Sequence, residues 1–222
     1  MIVIMDSSVK FSAGAIDARL VDQVRAVVSA PRPWSITQVG EPVLRQVTAR
    51  YDGQLPVDLL HELLDGMRAQ LPGVGVGLAA PQIGIPLALA VIEDPATVPP
   101  EVAAARERVP QPPLDLINPV IMPLGSEQRV FYEGCLSVAG LVAVVSRYHR
   151  VRLSAQDRDG QGYDLELSGW PARIAQHETD HLNGILYLDQ AELRSLSTTT
   201  AYEQHWAQVT PAAAAAALTF PS

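Results

Sequence analysis

Two segments near the start of the chain carry apolar residues at the spacing of an amphipathic helix. In residues 15–29 the apolar positions are Ile16, Leu20, Val24, Val27 and Val28. The second segment begins after Pro56 and Asp58, which suit a helix start, and its apolar positions are Leu59, Leu60, Leu63, Leu64 and Met67. Because residues three and four apart share one helix face, the pattern predicts two helices that pack on the domain through these faces.

Short apolar segments bounded by glycine and proline predict strands in the middle of the chain. They are residues 87–92, 114–117, 119–124, 150–154 and 163–167. Asp159-Gly160, between the last two segments, is typical of a hairpin turn. Residues 93–113 contain six prolines, and this composition predicts a surface loop with at most one helical turn.

A third helix is predicted after Pro171, which suits a first helical position, and is expected to end at Asn183-Gly184. Helices followed by short strands and then this helix predict an α+β fold, with mostly antiparallel strands around a central metal-motif helix and with N-terminal helices. We expect three parts: an N-terminal helical extension (residues 1–33), a main domain (34–193) and a peripheral C-terminal tail (194–222).

The third helix contains the segment QHETDH (residues 176–181), which fits the motif H-E-x-x-H. His177 and His181 are four residues apart, so they project from one helix face and can share a metal ion. Glu178 is close enough to the first histidine to handle the proton of an activated water. Two ordinary polar histidines on a helix would also produce this short pattern, so a third ligand is needed to decide.

The third ligand has candidates on both sides of the motif. Downstream, Glu192 or Glu203 would complete a zinc endopeptidase site, whereas Tyr187 stands where an extended motif requires histidine. Upstream, the segment EGCLS (133–137) offers Cys135, whose thiolate is a strong ligand for a borderline-soft divalent metal. A lone cysteine is also commonly a small buried apolar residue. From the residues alone, both ligand sets stay open.

The segment GVGLAAPQ (residues 75–82) combines small residues with one amide side chain. It matches no phosphate-binding loop. Tight backbone packing there would deliver Gln82 to a site, where its amide could stabilise a developing oxyanion. Close packing of small residues would explain the segment equally well.

Composition narrows the class of protein. The chain has 222 residues and a net charge of −8, which disfavours binding to nucleic acid or to an anionic membrane surface. Residues 69–92 carry no charge, but three prolines and four glycines predict buried loop and strand rather than a membrane span. A single cysteine excludes an internal disulfide and predicts a reducing compartment. The start Met1–Met5, followed by Asp6, does not resemble a secretory signal, so we expect a cytoplasmic protein.

Taken together and in this order, the segments at 75–82, 133–137 and 176–181 resemble the three signature motifs of the peptide deformylase family. The likeness extends over residues 34–193 and includes GEPVLR (40–45) and SGWPAR (168–173). The segment SVAG (137–140) is similar to the organellar-type branch of that family.

The resemblance implies a metal-dependent hydrolase that removes the formyl group from N-formyl-methionyl peptides and releases formate. It implies one Fe²⁺ per chain, replaceable by Zn²⁺, Ni²⁺ or Co²⁺, held by Cys135, His177 and His181. It makes Glu178 the proton carrier, and places the oxyanion against the Gln82 amide and the Leu136 backbone N–H. The substrate-binding residues that it implies are Val76, Gly77, Phe131, Gly134, Trp170 and Ile174.

Glu133 and Asp180 are expected to support the ligands rather than to carry protons, although a plain surface role remains open for Asp180. A deformylase-like protein that binds peptides or inhibitors without catalysis is the remaining alternative.

Two positions depart from many bacterial members of the family. Val142 stands where they carry an arginine that helps to hold the distal part of the peptide, so that contact is in doubt. Residues 190–222 contain Arg194 as their only lysine or arginine. Transient association with the ribosome is therefore not expected to use a basic C-terminal helix.

Overall fold

The computed structural model describes residues 3–4 and 15–221. The prediction that the start of the chain is not a secretory signal falls mostly outside these residues. The strands are β1 (Val3–Ile4), β2 (Gly77–Ala79), β3 (Leu89–Asp94), β4 (Gln111–Pro123), β5 (Gln128–Cys135), β6 (Val138–Tyr148), β7 (Arg150–Gln156), β8 (Gly162–Ser168) and β9 (Ala191–Thr198). The helices are α1 (Ala18–Val28), α2 (Val57–Arg68), α3 (Pro100–Arg106), α4 (Gly169–Leu182), α5 (Thr199–His205) and α6 (Ala212–Leu218).

The two N-terminal helices form where the apolar spacing predicts them. Asp17 caps α1, because its carboxylate accepts hydrogen bonds from the backbone N–H groups of Arg19 and Leu20. Helix α2 buries its whole predicted stripe and packs against α1 and β3. The core cluster under these helices also receives Leu78 and Leu89 from the sheet, so the helices cover one of its faces.

The strands form two sheets. The larger has six strands in the order β1-β8-β7-β4-β3-β2, and each neighbouring pair is antiparallel. The smaller has three strands in the order β5-β6-β9, also antiparallel. The predicted hairpin at Asp159-Gly160 connects β7 to β8, and the two segments predicted around Asn118 form one strand, β4, with a register shift between Ile117 and Val120.

Apart from the two-residue β1, three strands were not predicted from the pattern: β5, β6 and β9. They carry polar residues at buried positions, including Glu133, Arg147 and Ser195, which hide the alternation of apolar and polar positions that identifies a half-buried strand. The proline-rich segment 93–113 contains the helix α3, whose seven residues exceed the one turn predicted, and from Gln111 onward the segment belongs to β4. In the described part of the chain no helix is long and apolar enough to cross a bilayer.

Helix α4 lies between the two sheets and contacts strands of both. It begins at Gly169, two residues before the expected Pro171, and ends before Asn183-Gly184 as predicted. Gly184 has a φ of 71°, and a Cβ atom there would lie 2.7 Å from the carbonyl carbon of Arg45, so both the turn and the packing require glycine. The α+β class with a central motif helix is confirmed.

The predicted division into three parts stays a prediction. The boundary proposed after residue 193 falls within β9, which pairs with β6 in the smaller sheet.

Candidate active site

Cys135, His177 and His181 form the group of side chains that could hold a metal ion in the described part of the chain. Their three ligand atoms all lie within 4.8 Å of one another, and Cys135 Sγ is 3.2 Å from His181 Nε2. Bonds of about 2.0–2.3 Å to a tetrahedral ion separate neighbouring ligand atoms by roughly 3.5 Å. The cluster therefore fits one ion with one sulfur and two nitrogen ligands. Glu192 and Glu203, the ligands of the endopeptidase alternative, belong to β9 and α5 and not to this group.

The cluster is assembled from two elements that come from different parts of the fold. Both histidines project from α4 one turn apart, as the motif spacing predicts. Cys135 ends β5, where a register shift interrupts the pairing with β6 and the chain turns sharply into Val138. The backbone N–H of Ser137 lies 3.4 Å from Cys135 Sγ and donates a hydrogen bond to it, which fixes the position of the sulfur beside the turn.

Buried charges surround the histidines on the side of the smaller sheet. Glu133 accepts a hydrogen bond from His177 Nδ1 at 2.9 Å, leaving Nε2 of that ring for a metal. The Glu133 carboxylate also pairs with the guanidinium of Arg147 (2.8 Å) and that of Arg173 (2.6 Å), and Asp180 pairs with Arg147 at 2.5 Å. Two carboxylates and two guanidinium groups thus form a neutral buried network.

The charge network shifts the pKa values of its members. Burial alone would raise the pKa of Glu133, but Arg147 and the hydrogen bond with His177 hold it well below its usual range. Burial would lower the pKa of His177, but Cys135 and Glu133 raise it well above the ordinary value. Burial, together with the charge of His177, lowers the pKa of His181. These contacts therefore favour the ionised form of Glu133, whose hydrogen bond orients His177.

Glu178 occupies a different environment from Glu133. Its side chain is buried, and its Oε2 atom has no hydrogen-bond partner among the described residues. Burial raises the pKa of Glu178 to about 7. A Cβ atom at Gly77 would lie 2.6 Å from the Glu178 carboxyl carbon, so glycine is required for this side chain to reach its place. Gly77, in the segment 75–82, thus makes room for Glu178.

Gln82 has a fixed orientation next to the cluster. Its Oε1 accepts a hydrogen bond from the backbone N–H of Ala79 at 2.8 Å, which directs the Nε2 group towards Cys135 Sγ, 3.4 Å away. The residue is 2% exposed, so this amide is held in place before any ligand arrives. The predicted delivery of a neutral donor to the cluster agrees with this geometry.

A cleft of about 380 Å³ opens over these groups. Of the residues singled out from the sequence, it is lined by Val76, Gly77, Gln82, Gly134, Cys135, Leu136, Trp170, Ile174, His177 and Glu178. His181 lies beneath and is 1% exposed. Phe131 lies behind Trp170, with their ring centroids 6.0 Å apart in an edge-to-face contact, and is not part of the lining. It supports the wall of the cleft instead of forming it.

The cleft also contains residues that sequence reasoning did not single out as a site. They include Val74, Tyr132, Leu141, Arg173 and Thr199. Arg173 precedes His177 by four residues, so helical spacing alone would place it on the same face of α4. Thr199 carried no such signal, because its contact with the cleft depends on how β9 and α5 fold back onto β6.

Comparison with known proteins gives a consistent result. The family model for polypeptide deformylase matches residues 33–196. Peptide deformylase 3 of Streptomyces avermitilis is 54% identical over 202 residues, which cover 90% of each chain, and the human mitochondrial peptide deformylase is 38% identical over 78% of this chain and 74% of its own.

Solved structures agree as well. The peptide deformylase from Synechococcus elongatus in complex with actinonin superposes with a TM-score of 0.61 at 35% identity, over 73% of this chain and 81% of its own. The Met-Ala-Ser-bound peptide deformylase from Acinetobacter baumannii superposes with a TM-score of 0.64 at 32% identity, over 71% of this chain and 97% of its own. Neither the endopeptidase nor the non-catalytic alternative finds support in these matches. The chain belongs to the polypeptide deformylase family and is an enzyme of that family.

Proposed function

We propose that this enzyme hydrolyses the formamide bond of N-formyl-methionyl peptides, with Cys135, His177 and His181 as ligands of one metal ion. The observation that carries the proposal is that these ligands, the Gln82 amide and the Glu178 carboxyl all meet at one cleft. One thiolate and two imidazoles suit Fe²⁺, and also Zn²⁺, Ni²⁺ or Co²⁺. When bound, such an ion would lower the pKa of a coordinated water to about 7, which would supply a nucleophile at neutral pH.

Three residues at the cleft have proposed catalytic roles that follow from their positions. Glu178 accepts the proton of the attacking water and returns it to the leaving amine, whose departure releases formate and a free N-terminus. The Gln82 Nε2 group and the Leu136 backbone N–H donate hydrogen bonds to the oxyanion. One such donor typically lowers the barrier by about 3 kcal/mol. Gln82 suits this role because its other amide atom is already bonded to Ala79.

The methionine side chain of the substrate is proposed to enter the apolar part of the cleft. Val76, Trp170 and Ile174 supply apolar surface there, and Gly77 and Gly134 line the same cleft, where they can offer only backbone groups to a peptide. Phe131 contributes by holding Trp170. Burying the thioether chain against these residues stabilises the complex by about 25 cal/mol for each Å² of apolar surface.

The cellular setting is also a proposal. A free thiol as metal ligand requires a reducing compartment, which supports a cytoplasmic enzyme. The net charge of −8 supports an enzyme that binds neither nucleic acid nor a membrane. The near absence of basic residues after Gln190 supports an enzyme that does not dock on the ribosome through a basic C-terminal helix. The segment SVAG (137–140) supports placement in the organellar-type branch.

The proposal is tested with enzyme purified without oxygen. The wild type should contain about one metal ion per chain, identified by elemental analysis, and should release formate from formyl-Met peptides. Glu178→Gln should keep the metal and bind peptide but lose at least the 10²–10⁴-fold that general acid–base help contributes. Cys135→Ala should lose both metal and activity. Full metal content in Cys135→Ala, or near-normal turnover by Glu178→Gln, would remove that residue from its proposed role.

A further inference from the structure

The chain after the motif helix reaches back to the mouth of the cleft. Strand β9 pairs with β6 so that Ser197 lies opposite Val142 and Thr198 opposite Leu141. Helix α5 begins at the next residue, Thr199, and Thr198 caps it by accepting a hydrogen bond from the backbone N–H of Ala201 at 3.1 Å. The register of the sheet and the cap together fix Thr199 beside Leu141.

The side of α5 that carries Thr199 is anchored to a wall of the cleft. Tyr202 lies three residues after Thr199 and therefore on the same helix face. Its ring packs on that of Tyr132, with centroids 4.8 Å apart, and Tyr132 is itself a lining residue. Ser195 Oγ accepts a hydrogen bond from the backbone N–H of Val144 at 2.7 Å. These contacts hold the segment in place next to β6.

Thr199 differs from the other lining residues in the part of the chain that contributes it. Among the described residues that line the cleft, it is the one contributed by the chain beyond α4. Its side chain is exposed, so its hydroxyl can both donate to a peptide carbonyl and accept from a peptide N–H. Leu141 and Val142, its neighbours on that wall, offer apolar contact alone.

We propose that Thr199 is a specificity-determining residue that contacts the substrate residues following the formyl-methionine. This rests on the proposed function, because that function places the formyl group at Cys135, His177 and Glu178, and the methionine side chain between Trp170 and Ile174. The proposal places the remaining peptide along the wall formed by Leu141, Val142 and Thr199. A large side chain at Thr199 narrows this exit without crowding the protein core, since the position is exposed.

The experiment compares Thr199→Trp with Thr200→Trp, both loaded with metal. Thr200 is the adjacent exposed residue of α5 and does not line the cleft, so it is a matched control for the effect of a new tryptophan on folding. The substrates are formyl-Met-Ala and the same sequence extended by one to four residues. The measured quantity is the ratio of kcat/KM for the longest and the shortest substrate. Metal content and circular dichroism verify that each variant is folded and loaded.

In Thr199→Trp this ratio should fall at least tenfold relative to wild type, with the loss expressed mainly in KM. Thr199→Ser, which keeps the hydroxyl, should stay within threefold of wild type, and Thr200→Trp should keep the wild-type ratio. An active Thr199→Trp with the wild-type ratio would overturn the assignment of Thr199. A wild type that releases no formate from any of these peptides would instead overturn the proposed function.

Discussion

The two faces of helix α4 are built from different chemistry. The face towards the six-stranded sheet is apolar: Ile174, Ala175 and Leu182 pack with Leu116 and Leu153. The face towards the three-stranded sheet carries Arg173, His177 and Asp180, which bond to Glu133 and Arg147 of β5 and β6. The first face provides most of the non-directional stabilisation, whereas the second fixes where individual atoms lie.

This difference explains how a metal site tolerates burial. Hydrophobic packing alone would hold α4 against the larger sheet but would leave the rotation of the His177 ring free. The hydrogen bond from His177 Nδ1 to Glu133 fixes that ring, and the two arginines compensate the charge that Glu133 brings into the interior. Burying these charges costs some stability, but the charged face gives the ligand His177 a defined orientation.

The largest effect is expected from Glu133→Gln. The variant keeps the shape of the side chain but leaves the guanidinium groups of Arg147 and Arg173, each 4% exposed, without their shared carboxylate. Breaking a buried pair on one side costs about 3–5 kcal/mol, so the free energy of unfolding should fall by that amount. Metal affinity should also fall, by about 10–100-fold, because His177 loses its orienting partner. Denaturant unfolding and a competitive chelator measure the two effects.

Cys135→Ala is the matched control for this comparison, since it removes a metal ligand but leaves the charge network intact. Denaturant unfolding of both variants is measured with excess chelator, so that no metal is bound. The difference between their free energies of unfolding then reports the charge network alone. Equal stability of the two metal-free variants would show that the charged face contributes no more than the ligands themselves.

A smaller loss is expected on the apolar face. Leu153→Ala removes a fully buried side chain from the cluster that packs under α4, and such truncations cost about 2–5 kcal/mol, here about 3. The metal content should not change, because no ligand depends on Leu153 for its orientation. Leu193→Ala makes the same chemical change at a side chain that is 65% exposed and should cost less than about 0.5 kcal/mol. Loss of metal from Leu153→Ala would contradict the separation of the two faces.

The sequence predicted the metal ligands and the apolar core much better than the buried ion pairs around the ligands. The spacing of His177 and His181, and the three motifs together, indicated the ligands, and the apolar pattern of α1, α2 and the larger sheet indicated the core. The buried ion pairs were not predictable from pattern, because Arg147 becomes a core residue only after β6 has paired with β5 and met α4. Thr199 was missed for the same reason: its place depends on contacts that are distant in the chain.

Within the charge network the smallest effect is expected from Asp180→Asn, which alters the network at its edge. The Asp180 carboxylate accepts hydrogen bonds from Arg147 at 2.5 Å and from Gln190 at 3.1 Å, and its side chain is 18% exposed. Water can therefore replace part of what is lost, Arg147 keeps both of its bonds to Glu133, and asparagine retains one acceptor oxygen. We expect the free energy of unfolding to fall by about 1 kcal/mol, the contribution of a single hydrogen bond.

This prediction separates two explanations of the network. If Glu133 is its centre, because it contacts both arginines and His177, Asp180→Asn should leave metal content and kcat/KM within about twofold of wild type. If overall charge balance matters instead, Asp180→Asn and Glu133→Gln remove the same charge and should cost similar amounts. Denaturant unfolding of both variants, together with formate release under equal metal loading, distinguishes the two. A loss of 3 kcal/mol or more in Asp180→Asn would favour charge balance over the position of Glu133.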